Sequence, residues 1–287
     1  MMQNGRWLGF WLCLAGLGWG LPVGAGVNSG LEMQVERYIK GLRASGRIAA
    51  SERTAWVVHD FSAGEKLVSI NEGAVLQAAS MVKPLLALAF FHQVQAGRLV
   101  YGATSRRHLE LMIQKSSNAS TNWVMRQTGG PAATQALLAR HYPSMCRNLR
   151  LVEYIPADGR TYRNLASASD YAAFLTALWQ QRLPYSKEML RLMGLPGPDR
   201  LMDKASQVPG ETGIYNKTGS TAMCCGDMGI LVARGRDGRS YPYLLIGIID
   251  SRVRVRSYNS WISSRANVIR EVSNLTYRFM KQRYALR

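Results

Sequence analysis

A chain of 287 residues, 47% of them apolar, has the material for a large buried core and is unlike a disordered segment in composition. Its 36 Lys and Arg against 18 Asp and Glu give a net charge of +18, which raises a nucleic-acid reading that the compartment must then support. The four cysteines and His59, His92, His108 and His141 fall into no metal-ligand spacing, so no metal and no other cofactor is expected.

The N-terminus argues for export. Arg6 is the only charge in the first 25 residues, an apolar run follows from Trp7 to Leu21, and Val23-Gly24-Ala25 is a small-x-small exit. Gly16, Gly18, Gly20 and Pro22 interrupt the run and make it a poor membrane span, so residues 1–25 are read as a cleaved signal peptide. Cleavage removes a single positive charge, and the basic balance stays with the exported part. A periplasmic or secreted protein of this charge meets anionic wall polymers and lipid head groups, not nucleic acid. Cys146, Cys224 and Cys225 remain, either as three buried thiols or with Cys146 bridged to one of the adjacent pair.

The rest of the chain has three zones. Strand-like runs at 54–60 and 66–70 are separated by the turn Ser62-Ala63-Gly64-Glu65. A helical zone extends from about 80 to 194. In it, Gly129-Gly130-Pro131 stops one helix and starts another, and Ser167-Ala168-Ser169-Asp170 caps the run 171–179. Strand-like runs return at 213–223, 228–233 and 243–249, and a basic amphipathic helix over about 264–283 closes the chain. The predicted fold is α+β. Both chain ends contribute to a five-stranded antiparallel sheet (26–71 and 206–287) flanked by helices, and 72–205 form an inserted helical domain.

Three short motifs carry chemistry. In Ser80-Met81-Val82-Lys83 the i, i+3 spacing on a helix puts a nucleophile and a potential base on one face, within hydrogen-bonding reach. A lysine can act as that base if burial or a second cation lowers its pKa. About one Ser-x-x-Lys match is expected by chance in such a chain, whereas Lys217-Thr218-Gly219 is a roughly one-in-ten coincidence. Ser116-Ser117-Asn118 lies between them in the helical zone. The order of the three, on helix, helical zone and strand, is the informative feature.

With these residues in hand, the chain resembles the penicillin-recognising serine hydrolases, specifically the class A β-lactamase family, over about residues 50–285. The likeness includes Asn71-Glu72-Gly73 through Ala78-Ala79-Ser80. It also includes Lys115-Ser116-Ser117-Asn118-Ala119-Ser120-Thr121-Asn122 followed by Gly129-Gly130-Pro131. The stretch Ser169-Asp170-Tyr171 and residues 265–272 match more loosely. The resemblance implies a β-lactamase/transpeptidase-like fold and a set of roles. Ser80 attacks the amide carbonyl, Lys83 shuttles its proton, and Ser116 relays a proton to the leaving nitrogen. Asn118 bonds the substrate's side-chain amide, and Lys217 and Thr218 receive its carboxylate. Gly219 lets the substrate approach the strand, and the N–H groups of Ser80 and Ser220 form the oxyanion hole.

Departures from the family pattern matter. The family's deacylating water is activated by a glutamate in the loop after the second motif, with an asparagine four residues on. Glu153 stands at close to the right spacing, but four residues on is Ala157. A register anchored on Pro156 and Asp158 leaves no glutamate at that place. The arginine that often binds the substrate carboxylate is missing from Cys224-Cys225-Gly226-Asp227, and Arg265 is the candidate by alignment. The expected function is hydrolysis of the β-lactam amide through an acyl-serine. The alternative is a peptidoglycan D-alanyl-D-alanine carboxypeptidase or transpeptidase with slow deacylation. Substrates are then a β-lactam or a peptidoglycan stem peptide, and the protein is expected to be monomeric.

Overall fold

A computed structural model describes residues 30–156 and 163–287. The expected signal at 1–25 lies outside the described residues, as do Ala157 and Asp158. The described residues open with α1 (Gly30–Ala44), a helix with no counterpart among the predicted elements. Leu31, Val35, Ile39 and Leu42 recur on one face of α1 and are buried, while its other face is charged. The hairpin β1 (Glu52–Asp60) and β2 (Glu65–Ile70) follows.

The short strand β3 (Leu76–Gln77) then leads into a 3-10 turn over Ala79–Val82. Next come α2 (Lys83–Gln95), α3 (Ala103–Gln114), α4 (Asn118–Gln127) and α5 (Gly130–His141). Gly129 adopts φ +89°, a conformation open to glycine, and Pro131 occupies the first turn of α5, as the Gly-Gly-Pro punctuation predicts. The strand β4 (Leu165–Ala166) pairs with β3 inside what the sequence presents as a purely helical zone.

α6 (Ala168–Trp179) begins with the predicted cap: Ser167 accepts from the Asp170 N–H, and Asp170 accepts from the Ser167 N–H. α7 (Ser186–Met193) ends the helical part. The strands β5 (Gly213–Thr221), β6 (Cys224–Arg234) and β7 (Ser240–Ser251) and the closing helix α8 (Tyr258–Tyr284) complete the fold. α8 starts earlier than the predicted 264 because Trp261 and Ile262 already pack on the sheet.

The five strands run in the order β2-β1-β7-β6-β5, all antiparallel, so early and late strands join at β1–β7 into one sheet as expected. The central strands bury both faces. Ala55, Val57, Ile246 and Ile248 face the helices that the chain inserts between β2 and β5. Trp56, Val58, Leu245 and Ile249 face the cluster that α1 and α8 cover. A sheet covered on both sides explains the near-continuous apolar runs. Gly247 is required at the crossing of β1 and β7, since a Cβ there would lie 2.5 Å from the Trp56 ring. α2 is buried on all sides from Lys83 to Phe91 and forms the axis of the helical part.

Candidate active site

The turn that carries Ser80 rests on the sheet through two glycines. A Cβ on Gly226 would lie 2.6 Å from Met81 Cε, and one on Gly219 would lie 3.0 Å from Met81 Cγ and 3.1 Å from Ala79 Cβ. The glycine of Lys217-Thr218-Gly219 is thus needed to seat the turn that carries Ser80, a reason distinct from the substrate approach expected of it. Ala79 takes φ +44° and Ser116 φ +54°, both in the left-handed region that side chains avoid. Such residues hold of the order of 1–3 kcal/mol of strain each and persist where packing over-determines them.

Lys83 follows Ser80 by one turn, its N–H bonded to the Ser80 carbonyl, and its side chain is fully buried. Among the described residues no hydrogen bond joins the Ser80 hydroxyl to Lys83, so the direct pairing expected from the i, i+3 spacing is not formed. Instead Lys83 Nζ lies within hydrogen-bonding distance of the Ser116 carbonyl (2.6 Å), Ser116 Oγ (3.0 Å) and Asn118 Oδ1 (3.1 Å), three oxygens for the two N–H groups of a neutral amine. Burial lowers its pKa, with Lys217 adding repulsion, to about 6. The neutral amine therefore predominates at pH 7, the state a proton acceptor for Ser80 needs. The Ser116-Ser117-Asn118 segment is held by Ser117, which caps α4 by accepting from the Ser120 N–H (3.2 Å).

Lys217 lies on β5, the edge strand next to the Ser80 turn, and is almost wholly buried. Burial lowers its pKa to about 8, with Asp227 opposing and Arg200 assisting the shift. Thr218 pairs across the ladder with Asp227, the carboxylate in the buried, apolar part of β6. Asp227 accepts from the Arg200 backbone N–H (2.7 Å) and from Asn216 Nδ2 (3.0 Å). Burial raises its pKa to about 6 against the pull of Arg200 and Asn216.

The sequence reading missed Arg200. Its guanidinium donates to Ser220 Oγ (2.6 Å), to the Gly226 carbonyl (2.6 Å) and more weakly to the Gly219 carbonyl (3.4 Å). Arg200 and Thr218 both line a cavity of about 520 Å³ between the 197–204 loop and α8. The signal for Arg200 was the acid in β6, since a buried carboxylate requires a partner.

Arg265 does not reach this site. Its guanidinium takes both oxygens of Glu52 (2.6 Å each) and stacks over Trp261 at 5.8 Å, joining α8 to β1. Burial would raise the Glu52 pKa, but the bonds from Arg265, the Ala49 N–H and Trp261 outweigh it and lower it. The expectation that Arg265 binds a substrate carboxylate is corrected: its donors are spent inside the fold.

The loop after the second motif is fixed by two asparagines to which the sequence reading assigned no role. Asn164 accepts from the Val152 (2.8 Å) and Glu153 (3.2 Å) N–H groups and donates to the Glu153 carbonyl (3.1 Å). The carbonyl of Asn164 accepts from the Ala78 N–H, two residues before Ser80 (2.9 Å). Asn122 lies one turn beyond Asn118, on the same face of α4. It pairs both ways with Ile155, accepting its N–H (2.8 Å) and donating to its carbonyl (2.7 Å). The loop residue clamped to the helix face that also holds Lys83 is therefore apolar and buried. The Glu153 carboxylate accepts from the Arg163 N–H (3.2 Å) and approaches its guanidinium at 3.9 Å.

Cys146, Cys224 and Cys225 are free and buried, so neither alternative bridge to Cys146 forms. Burial pushes the Cys146 thiol up to about 12. Among the described residues no cluster of His, Cys, Asp and Glu could hold a metal, and no helix is long and apolar enough to cross a membrane.

The model of a β-lactamase enzyme family matches residues 34–104 and 102–278. Among solved structures the chain is similar to PBP-A, with a TM-score of 0.70 and 20% identity over 88% of this chain and 96% of that one. A leucine-to-glutamate variant of PBP-A, solved as an acyl-enzyme complex with penicillin G, is similar at TM-score 0.69 and 20% identity, with the same coverage. The class A β-lactamase of the last common ancestor of Gram-negative bacteria gives 0.66 and 21% identity over 88% of this chain and all of that one. These likenesses show the β-lactamase/transpeptidase-like fold. A search of curated proteins finds no match.

Proposed function

The chain belongs to the β-lactamase enzyme family, serine hydrolases that act on cyclic amides, and from that premise we propose that it is an exported enzyme that opens the β-lactam amide through an acyl-Ser80 intermediate. One observation carries the reading: a buried lysine, biased towards its neutral form, sits one turn from Ser80 and bonds to Ser116 and Asn118. Neutral Lys83 takes the Ser80 proton through a bridging water, since no hydrogen bond joins the two side chains. The Ser80 oxygen bonds to the carbonyl carbon, and the tetrahedral oxyanion forms against the N–H groups of Ser80 and Ser220. Such donors typically contribute ~3 kcal/mol each. The C–N bond then breaks, and Ser116, in contact with Lys83, delivers the proton to the leaving nitrogen. Lys217, Thr218 and Arg200 form the cationic edge that receives the substrate carboxylate.

Release of the acyl group is a separate matter. The buried pair of Asn122 with Ile155 favours the second reading, a D-alanyl peptidase-like enzyme whose acyl-enzyme persists. An apolar residue at the clamped loop position cannot activate water, and Glu153 is engaged with Arg163. The reading is therefore fast acylation and slow deacylation, with peptidoglycan stem peptides as the natural acyl donors. Time-resolved intact mass spectrometry with benzylpenicillin tests it. A covalent adduct that forms quickly and lasts for hours supports it, rapid return to the native mass refutes the slow-release part, and adduct formation by Ser80→Ala refutes the nucleophile. Export is tested by N-terminal sequencing of the mature protein from the producing cells.

A further inference from the structure

The connection between β7 and α8 reads Arg252-Val253-Arg254-Val255-Arg256-Ser257. All three arginines are exposed, as is Val253, while Val255 is half-buried. Arginines elsewhere find acids: Arg265 pairs with Glu52, Arg191 with Glu110 and Glu188, Arg283 with Asp60 and Glu65. Among the described residues none of the guanidinium groups of Arg252, Arg254 and Arg256 forms a hydrogen bond or ion pair. The acid that Arg252 influences, Asp250, is already paired with Arg53.

The backbone of this loop is tied to the end of the catalytic strand. The Val255 N–H donates to the Ala222 carbonyl (3.1 Å), and the Ser251 N–H donates to the Met223 carbonyl (2.7 Å). The Arg252 N–H donates to the Ser51 carbonyl (3.0 Å), and Ser251 Oγ donates to the Val253 carbonyl (2.6 Å). The loop is therefore docked beside the turn that follows Thr221.

We infer that the loop of Arg252, Arg254 and Arg256 extends the substrate cleft on the acyl side and selects acyl donors that carry a carboxylate there. The inference rests on the reading of Ser80 and β5 given above. A substrate whose carboxylate lies at Lys217 and Thr218, and whose reacting carbonyl lies at the Ser220 N–H, runs along β5 in the direction of increasing residue number. Its acyl half then continues past Thr221 towards Ala222. A strand rises ~3.4 Å per residue, so Ala222 is ~7 Å beyond Ser220, about two residues of extended substrate. An acidic side chain or free carboxylate at that distance meets three cations that have no acid of their own. The occupant is an anionic acyl-donor peptide, of which a stem peptide with acidic residues before the scissile bond is an example. A β-lactam with a short neutral acyl arm ends before the loop and does not engage it.

The test uses two penicillins that differ only at the end of an adipoyl side chain, one a free carboxylate and the other its methyl ester. Acylation rates are measured by mass spectrometry on the intact mature protein, with benzylpenicillin as the reference acylating agent. The expected result is that the carboxylate probe acylates ~10-fold faster than the ester at low ionic strength, in the range electrostatic steering supplies. High salt should shrink the ratio towards one as exposed charges are screened. In the triple variant Arg252→Gln, Arg254→Gln, Arg256→Gln the ratio should fall to about one, and in the triple Arg→Lys variant it should be kept. A wild-type ratio near one while benzylpenicillin still acylates overturns the inference alone, as does a ratio that survives both salt and the Gln variant. Failure of all three penicillins to acylate overturns the reading of the site and this inference with it. Because the ratio is internal to each protein and the salt series needs only wild type, poor folding of a variant does not remove the test.

Discussion

The two walls of the cleft are built to different degrees. On the wall proposed to acylate, both lysines have partners that tune them: Lys83 is buried against Ser116 and Asn118, Lys217 against Asp227 and Arg200. On the facing loop the clamp is equally specific, through Asn122 and Asn164, yet the residue it holds is Ile155. The difference teaches that, on the proposed reading, this fold clamps the loop firmly while placing an apolar residue at the clamped position. Acylation and deacylation are then separable properties of one site.

The largest effect that could break this contrast belongs to the acylating wall. Lys83→Ala removes the proton acceptor and is expected to slow acylation by benzylpenicillin ~10²–10⁴-fold, measured by stopped-flow or mass spectrometry. An unchanged rate would transfer the base role elsewhere. The converse change belongs to the loop. Ile155→Glu puts a carboxylate where Asn122 clamps the chain and is expected to speed loss of the acyl adduct ~10²-fold, at the lower end of general-base contributions. If the adduct lifetime does not shorten, the loop position is not where water is activated.

Arg200→Ala removes a cation from the carboxylate edge and is expected to reduce the second-order acylation rate ~10-fold or more, in keeping with hydrogen bonds to charged groups. The pH profile of acylation sharpens the same assignment. Lys83 acts when neutral, so the rate should rise through pH about 6. Lys217 acts when protonated, so it should fall again above about 8. A profile flat between pH 5 and 9 would dissociate these lysines from the rate. The smallest effect on rate is expected at Arg265. Arg265→Ala leaves Glu52 buried without its partner and should cost ~3–5 kcal/mol of stability in a denaturant titration. The acylation rate per folded molecule should stay near wild type. A selective loss of acylation would return Arg265 to the site.

Much of this was legible in the sequence where a signal is local. The hairpin β1–β2, the late strands β5 to β7, the Gly-Gly-Pro break before α5 and the Ser167 cap follow from turn chemistry and periodicity within a few residues. Ser80, Lys83, Ser116 and Lys217 were legible as candidates because they lie in short runs, and the family resemblance supplied the roles expected of them. The readings that failed involve partners far apart in the chain. Arg200 and Asp227 are joined across a crossover from loop to sheet, and Arg265 and Glu52 come from opposite chain ends. Alignment put Arg265 in the right region but could not tell which arginine already had an acid.

Sequence by itself determined the fold class, the order of the catalytic motifs and the basic character of the chain, because each is set by residue type and local spacing. Only the tertiary structure decided which arginine faces Ser220, that Lys83 turns to Ser116 and Asn118 instead of Ser80, and that Ile155 takes the clamped position in the loop. Those outcomes depend on which buried polar groups meet when strands from both chain ends close into one sheet. A buried donor or acceptor must find a partner wherever the chain brings one, and that constraint cannot be read along the sequence.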